Sequence, residues 1–585
     1  MLLVFYAGIA LAFVPFGQVI GRAFQGESLA DYSVNLLGSL AGILVFSIYS
    51  LLALPAWCWF LLGLPLLLLL VPPRPLSRFG TVAVSVLLVL VVWTMDRGTI
   101  WSPYHKLEIT PASFDPVTLT LLPFDQNRHA QPLPVEVAFN LRVNDDFYQL
   151  PVDLSDAAVA RFPVLGSWRD WSFTVCKLHT PLDRVLIVGG GTGNDAAAAI
   201  RCGAKHSDVV DIDPGIVKIG RAMHPEHPYS NPDVHVIVDD ARHFFHGAVP
   251  GYDAIVFALL DSHRLMGTRS SLRLDSYVLT VESFREARRL LSPRGVQITA
   301  FAVGQDWMQS RFYEMLRTAY GEEPIIAQEN GIKTVGAVFL SGPGAPAATG
   351  MSVRPRPVDS TAVPATDDWP FIYARSHRLP GQYIWVLGMV LLVSFFAVRW
   401  TAGRDGGPGI AVGRTTLPDV HFFCLGAAFL LLETRNLTVL ALAFGSTWYV
   451  NSVVFASILV MALLSNLLMA KVRAVENLPV AALYGGLFAA LVLNWFLPVE
   501  ALTGTTFPVR LLTLGGATAL PIFFSGIIFA RSFKKAADPV HALGSNVLGS
   551  IVGGAIEYTS LITGLRFLII LMAALYGASA VRARR

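Results

Sequence analysis

Apolar residues are distributed so unevenly along this chain that their placement alone selects the class of fold. Of 585 residues, 54% are hydrophobic and 15% charged, against about 25% charged in a soluble domain. The charges gather between about 96 and 378, and both flanks are nearly free of them. A bilayer span takes roughly 20 apolar residues. Runs of that kind lie near 1–20, 33–55, 56–72 and 79–95, and again near 382–399, 417–433, 436–470, 478–497, 508–530, 541–560 and 564–581. The expectation is an α-helical polytopic membrane protein of ten or eleven spans with a soluble domain inserted between two membrane blocks. A net charge of +3 gives no electrostatic footprint for nucleic acid. The four cysteines, Cys58, Cys176, Cys202 and Cys424, form no CxxC pair, so neither a disulfide framework nor a metal site is expected. The first apolar run begins at Met1 without a basic n-region, so no cleavable signal peptide is expected.

The charged centre divides further. Residues 100–180 alternate apolar and polar, as in EVAFNLRV and DDFYQLPVDL, which predicts short strands. From 183 to about 340, β-rich runs (RVLIVG, SDVVDID, VHVIVDD, YDAIVFALL, GVQITAFA) alternate with helical stretches. That alternation predicts a parallel sheet with crossover helices. The expected division is a membrane block of about four helices over 1–96, a small β-region over 97–180 and an α/β Rossmann-like domain over 181–340. A Pro/Gly/Ala-rich linker over 341–378 and a second membrane block of six or seven helices over 379–585 complete it.

The sharpest local signal is RVLIVGGGTGNDAAAA. A buried strand runs into Gly189, Gly190, Gly191 and Gly193 and then into an Ala-rich helix, a geometry that lets backbone approach a ligand at a helix N-terminus. The next strand ends in Asp211-Ile212-Asp213, where a carboxylate can accept from ribose hydroxyls. The third ends in Asp239-Asp240, followed by Ala241, at the same sheet edge. Asp195 or Ala196 replaces the third fingerprint glycine of dinucleotide sites. An acid two strands on suits an adenosyl ligand, so S-adenosylmethionine or its decarboxylated form is favoured over NAD.

The block from about 101 to 320 resembles the spermidine synthase family, whose catalytic domain is methyltransferase-like. WSPYHKLEI, YQLPVDLS, VGGGTGND, VVDIDP, VIVDDARHFF and YDAIVFALLD carry the resemblance. FLLLETRNLTVLALAFGSTW and NVLGSIVGGAIEYTSLITG resemble the membrane half of that family's membrane-fused branch. The resemblance implies Asp211 as the ribose acid, Asp240 as the adenine acid and Gln149 as a cofactor contact, with His105 where a glutamine is common. It also exposes departures. The family's Asp-x-x-Asp-Pro element is here Ala258-Leu259-Leu260-Asp261-Ser262, keeping only the second acid. Its Tyr-His-Glu element is replaced by Phe173-Thr174-Val175, although His179 remains.

Asp261, His263 and Tyr277 are the expected catalytic residues, because an Asp–His pair at the end of the fourth strand can deprotonate an acceptor. Arg269 and Arg273 can grip an anionic acceptor or pair with Asp275 or Glu282. His224, His227 and Tyr229 in HPEHPY are read as a loop over the cofactor in preference to a metal cluster. Glu282, Arg285, Arg288 and Arg289 are read as a solvated helix face. Glu433 and Arg435, and Glu557 and Arg566, are ionisable groups in or near apolar runs and so functional candidates; a turn at Glu433–Arg435 is the competing reading. Together these readings describe a transferase using S-adenosylmethionine or a related sulfonium to methylate or alkylate a membrane-associated, small-molecule or lipid-like acceptor. The alternatives are a polyamine aminopropyltransferase with a modified amine site and a non-catalytic adenosyl-ligand sensor or transporter. The expected setting is a bacterial inner membrane, with the bilayer as partner and a homo-oligomer allowed. Basic residues beside the spans favour an extracytoplasmic domain slightly, whereas a cytosolic donor favours a cytoplasmic one. The second argument sets the expectation.

Overall fold

The computed structural model describes residues 2–23, 28–70, 75–115, 120–122, 131–166, 178, 182–260, 277–301, 305–328, 337–345, 352–353, 362–402, 418–445 and 447–583. The chain forms two compact units, Val45–Asp367 and Met1–Leu44 with Asp368–Arg585.

The first of these is built on an eight-stranded sheet: β1 Arg184–Val188, β2 His206–Asp211, β3 Val234–Val238, β4 Tyr252–Phe257, β5 Leu291–Phe301, β6 Ile325–Gln328, β7 Ala337–Ser341 and β8 Ser352–Val353. Its spatial order is β3-β2-β1-β4-β5-β7-β6-β8. Helices α1 Asn194–Arg201, α2 Pro214–Met223, α3 Ala241–Gly247, α4 Val281–Leu290 and α5 Asp306–Tyr320 connect the strands from β1 to β6. Val185, Leu186, Ile187 and Val188 are all fully buried, as expected for a strand covered on both faces. The sheet is parallel from β3 to β5 and antiparallel from β5 to β8, so the wholly parallel sheet expected from sequence is a mixed one. The connection 329–336 between β6 and β7 is too short for a parallel crossover, which needs a dozen or more residues. The strand order reverses between β1 and β4, the crevice where ligands of open α/β sheets bind.

The segment rich in Pro and Gly is partly bound into this unit. Ser352–Val353 pairs with β6, the Val363 carbonyl accepts from Arg311 Nε at 2.7 Å, and the Ala365 carbonyl accepts from the Val281 N–H. Ahead of β1, strands Ile100–Trp101, Lys106–Pro111, Phe139–Val143 and Asp146–Gln149 form an antiparallel sheet. Asn144 and Asp145 turn its last hairpin at φ 52° and 69°, the two-residue turn that matches strand twist. Cys202 is disulfide-bonded, whereas Cys58 and Cys424 are free. Spacing along the chain had suggested no disulfide; spacing reports metal and redox motifs but not which thiols the fold brings together.

Among the described residues, five helices are long and apolar enough to cross a membrane: Leu29–Leu51, Arg78–Met95, Val420–Phe444, Ser452–Lys471 and Phe507–Lys534. Shorter apolar helices include Val480–Trp495 and Phe567–Ala583. In the second unit, helix Val420–Phe444 continues through Glu433 and Arg435, which removes the alternative of a turn there. Arg435 is buried and donates to the Asn494 carbonyl at 3.2 Å; Asn436 Nδ2 donates to the Thr518 carbonyl at 3.0 Å. These polar groups tie helices together instead of ending one. The small-residue spacing in GSNVLGSIVGG is used for close packing: a Cβ on Gly549 would lie 2.0 Å from the Phe423 carbonyl oxygen.

Candidate functional site

The crevice is assembled by backbone ties between strand ends. Gly189 N donates to the Val210 carbonyl at 2.9 Å, Asp239 N to the Asp211 carbonyl at 3.0 Å, and Ala258 N to the Val188 carbonyl at 3.1 Å. The carboxyl ends of β1, β2, β3 and β4 are therefore held side by side. The glycine loop lies between them under close constraint. Gly191 sits at φ 54°, and a Cβ there would meet Gln149 Oε1 at 2.6 Å; one on Gly189 would meet Leu260 at 2.0 Å. Glycine is required by the left-handed backbone and by these neighbours together.

Gln149 reaches the loop from the hairpin ahead of the core. Its Oε1 accepts from Thr192 N at 2.9 Å and from Thr192 Oγ1 at 2.8 Å. Asp211 is 6% exposed. Its Oδ2 accepts from Gly191 N at 2.7 Å and its Oδ1 from Asp213 N at 2.9 Å. Burial raises its pKa to about 6, against the pull of those two backbone N–H groups. Each carboxylate oxygen can accept a second hydrogen bond, the capacity a ribose diol would use. Asp239 and Asp240 are half-buried at the end of β3. Asp239 Oδ2 faces His243 Nδ1 at 2.7 Å, and Asp240 Oδ1 caps α3 through His243 N at 3.1 Å. Ala241 begins that helix, half-buried. Val238, 49% exposed, and half-buried Ile212 and Leu259 add apolar surface at the strand ends. Carboxylates on β2 and β3 flanked by apolar side chains fit an adenosyl group: hydroxyls and an exocyclic amine donate, and a base needs apolar faces.

Asp213 has another set of neighbours. It is 1% exposed, accepts from Ser102 Oγ at 2.7 Å, faces His105 Nδ1 at 3.0 Å and caps α2 through Gly215 N at 2.8 Å. Its carboxylate braces the N-terminal sheet against the core. Asp261, His263, Arg269, Arg273, Asp275 and His179 lie outside the described residues. Tyr277 is buried, and its carbonyl accepts from Arg242 Nη1 at 2.8 Å.

Several supporting residues were missed by the sequence reading. Arg242, 5% exposed, donates to both oxygens of Glu286, at 2.7 and 2.8 Å, and to both oxygens of Asp367, at 3.0 and 3.1 Å. Thr280 Oγ1 also donates to Asp367, at 2.7 Å. Arg242 stands inside VDDARHFF, but its two carboxylate partners are 44 and 125 residues away. Glu282, read as part of a solvated face, accepts from Asp367 N at 2.9 Å, while Arg285, Arg288 and Arg289 are exposed. In HPEHPY, Tyr229 donates to the Gly191 carbonyl at 2.9 Å. His224 Nδ1 accepts from Glu226 N at 3.1 Å, which leaves Nε2–H to donate to Asn194 Oδ1 at 2.9 Å. Burial lowers the His224 pKa to about 3. The loop braces the glycine turn and keeps His224 neutral.

Residues 173–316 match the Spermine/spermidine synthase domain. A polyamine aminopropyltransferase of Pyrobaculum calidifontis is 29% identical over 152 residues, which cover 25% of this chain and 50% of that protein. One of Mycobacterium tuberculosis is 31% identical over 121 residues, covering 20% of this chain and 22% of the relative. The chain thus spans half the length, or less, of these curated relatives. A crystal structure of a probable spermidine synthase from Corynebacterium glutamicum aligns at a TM-score of 0.29 and 17% identity, covering 42% of this chain and 78% of that one.

Proposed function

We propose, on the match of residues 173–316 to the Spermine/spermidine synthase domain, that this chain is a membrane-embedded transferase that moves an aminopropyl group from decarboxylated S-adenosylmethionine to an amine acceptor. The observation that carries the reading is the convergence of Asp211, Asp239, Asp240 and the glycine loop at one sheet edge. The similarity to polyamine aminopropyltransferases supports aminopropyl transfer ahead of the methyl or alkyl transfer to an amphiphile expected from sequence. The five long apolar helices support insertion in a bilayer.

A bound donor supplies an electrophilic carbon beside sulfonium sulfur, so that amine attack forms C–N, breaks C–S with its electrons going to sulfur, and leaves a proton to be removed. Asp211 would hold the ribose hydroxyls and Asp240 the adenine amine. Gln149, with Thr192, would fix the loop beneath them. Asp261 would take the proton and His263 would assist it, with Tyr277 closing the far end of the segment.

One observation favours a second reading. Ala258, buried at the end of β4, stands where the family pattern has its first acid. A polycationic amine loses one anchoring carboxylate there. Transfer of a methyl or alkyl group from S-adenosylmethionine to an uncharged or anionic amphiphile remains the competitor.

The test is incubation of the purified full chain with decarboxylated S-adenosylmethionine and putrescine, and separately with S-adenosylmethionine and extracted lipid, with products read by mass spectrometry. Aminopropylated amine made by the parent and abolished in Asp261→Asn, with donor binding kept, supports the proposal. Methylated lipid alone supports the competitor. Donor binding without any product supports an adenosyl-ligand sensor or transporter.

A further inference from the structure

We infer that the sheet-bearing segment between helices Pro75–Met95 and Gly381–Ala402 operates outside the cytoplasm, on the face of the membrane opposite the chain's basic helix ends. The inference rests on the membrane-type unit and one covalent bond, and is independent of the transferase reading.

A cavity of about 720 Å³ is lined jointly by Asp419, Val480, Arg531, Lys535 and Arg582. It brings the starts of helices Val420–Phe444 and Val480–Trp495 together with the ends of Gly516–Lys534 and Phe567–Ala583. Lys534 pairs with Glu476 at 2.8 Å, adding the connection after helix Trp448–Lys471 to the same end. Lys471, Arg473, Arg531, Lys534, Lys535 and Arg582 therefore share one end of this unit. Basic residues in short connections mark the cytoplasmic face.

The chain enters this unit at the other end. The Asp368 carbonyl accepts from Leu565 N at 2.8 Å, Asp368 Oδ1 accepts from Arg566 N at 2.8 Å, and Trp369 Nε1 donates to the Leu561 carbonyl at 2.8 Å. All three contacts are at the start of helix Phe567–Ala583, whereas Arg582 is at its finish, about 25 Å away at 1.5 Å per residue. Asp367, one peptide bond before Asp368, closes the other unit. The same polarity holds where the chain first approaches that unit's sheets. Helix Pro75–Met95 carries Arg78 in its first turn and passes to the charged region from its far end. Arg399 stands in the last turn of helix Gly381–Ala402, and Arg404 and Arg414 come after it in the sequence. Arg97, Lys106, Arg375, Arg378, Arg510 and Arg566 are the counterweight, and they are fewer. The disulfide at Cys202 is independent of charge: such bonds persist in oxidising compartments and are rare in cytosol. The sequence reading let the donor's cytosolic origin decide; the helix ends and the disulfide oppose it.

Where the proposed transferase reading also holds, a consequence follows for the reaction sequence. A permanently charged sulfonium nucleoside does not cross a bilayer unaided, so a translocation step must supply the donor, and the acceptor is met outside the cytoplasm.

The test is labelling of intact cells with a membrane-impermeant maleimide. The full-length chain carries Val249→Cys, at a position 69% exposed, or Arg582→Cys, with the parent as background. Val249→Cys should label at once and Arg582→Cys only after permeabilisation. The reverse pattern overturns the inference. Quantitative alkylation of Cys202 without prior reduction also overturns it. Both substitutions are at exposed sites, and labelling of each in permeabilised cells verifies a folded, reactive chain. Val249→Cys labelling in intact cells, with no product in any transferase assay, sinks the transferase reading and leaves this placement standing.

Discussion

Replacing Glu286 by glutamine keeps the shape of the Arg242 cage and removes half of its negative charge. Burial alone would raise the Glu286 pKa, but the His246 ring and the Arg242 guanidinium hold it down, from 4.5 to about 2. A depressed carboxylate stabilises the fold above its unfolded pKa, and that stability is lost as pH falls through the folded value. The window here runs from about 4.5 down to about 2. Breaking a buried pair by removing one partner costs about 3–5 kcal/mol. For a unit of roughly 300 residues that is a fall of about 5–8 °C in Tm. Thermal unfolding of the purified full chain at pH 7 and at pH 3.5 measures it. Glu286→Gln should melt lower at pH 7, and the difference should shrink at pH 3.5. A change under about 1 °C at pH 7, or a gap that does not narrow in acid, would refute the account of the cage. Activity should fall as well, because Arg242 also holds the Tyr277 carbonyl.

Asp211 has the opposite sign. Burial lifts its folded pKa to about 6, above the ordinary value of 3.8, so its charge costs stability as pH rises through that range. Asp211→Asn should melt no lower than the parent at pH 8, yet bind 5′-methylthioadenosine at least tenfold more weakly by calorimetry. Gly191→Ala should lose nucleoside binding, and adding Gln149→Ala should recover part of it, because the new Cβ meets Gln149 Oε1; strict additivity of the two would contradict the close approach. Gly549→Leu should reduce the monodisperse fraction in gel filtration sharply, while Gly388→Leu, with no neighbour within 4 Å of its Cβ, should not.

What the sequence revealed follows from which interactions are local. The β1 strand and glycine loop are continuous in sequence, as are the acids of β2 and β3, and the structure places all of them on one edge. The antiparallel half of the sheet was hidden because pairing of β7 with β5 depends on a return across the sheet and not on local pattern. Arg242 was hidden for a related reason: it reads as one more polar residue until Glu286 and Asp367 arrive from distant segments. Asp213 looked like a second ligand acid because it stands two residues from Asp211, yet a shift of two past the strand end turns it towards Ser102 and His105. Burial of Arg435 was equally illegible, since apolar runs give length but not the neighbours that accept a guanidinium.

The stretch 261–276 is flanked by two anchors: Leu260 against Gly189 and Tyr277 under Arg242. Closing a longer loop costs little extra, about 0.6 kcal/mol per doubling of length. On the transferase reading proposed above, acceptor preference would change with substitutions inside this interval while both anchors are kept. Chimeras that swap only these residues between relatives should therefore trade acceptors and keep their melting temperatures.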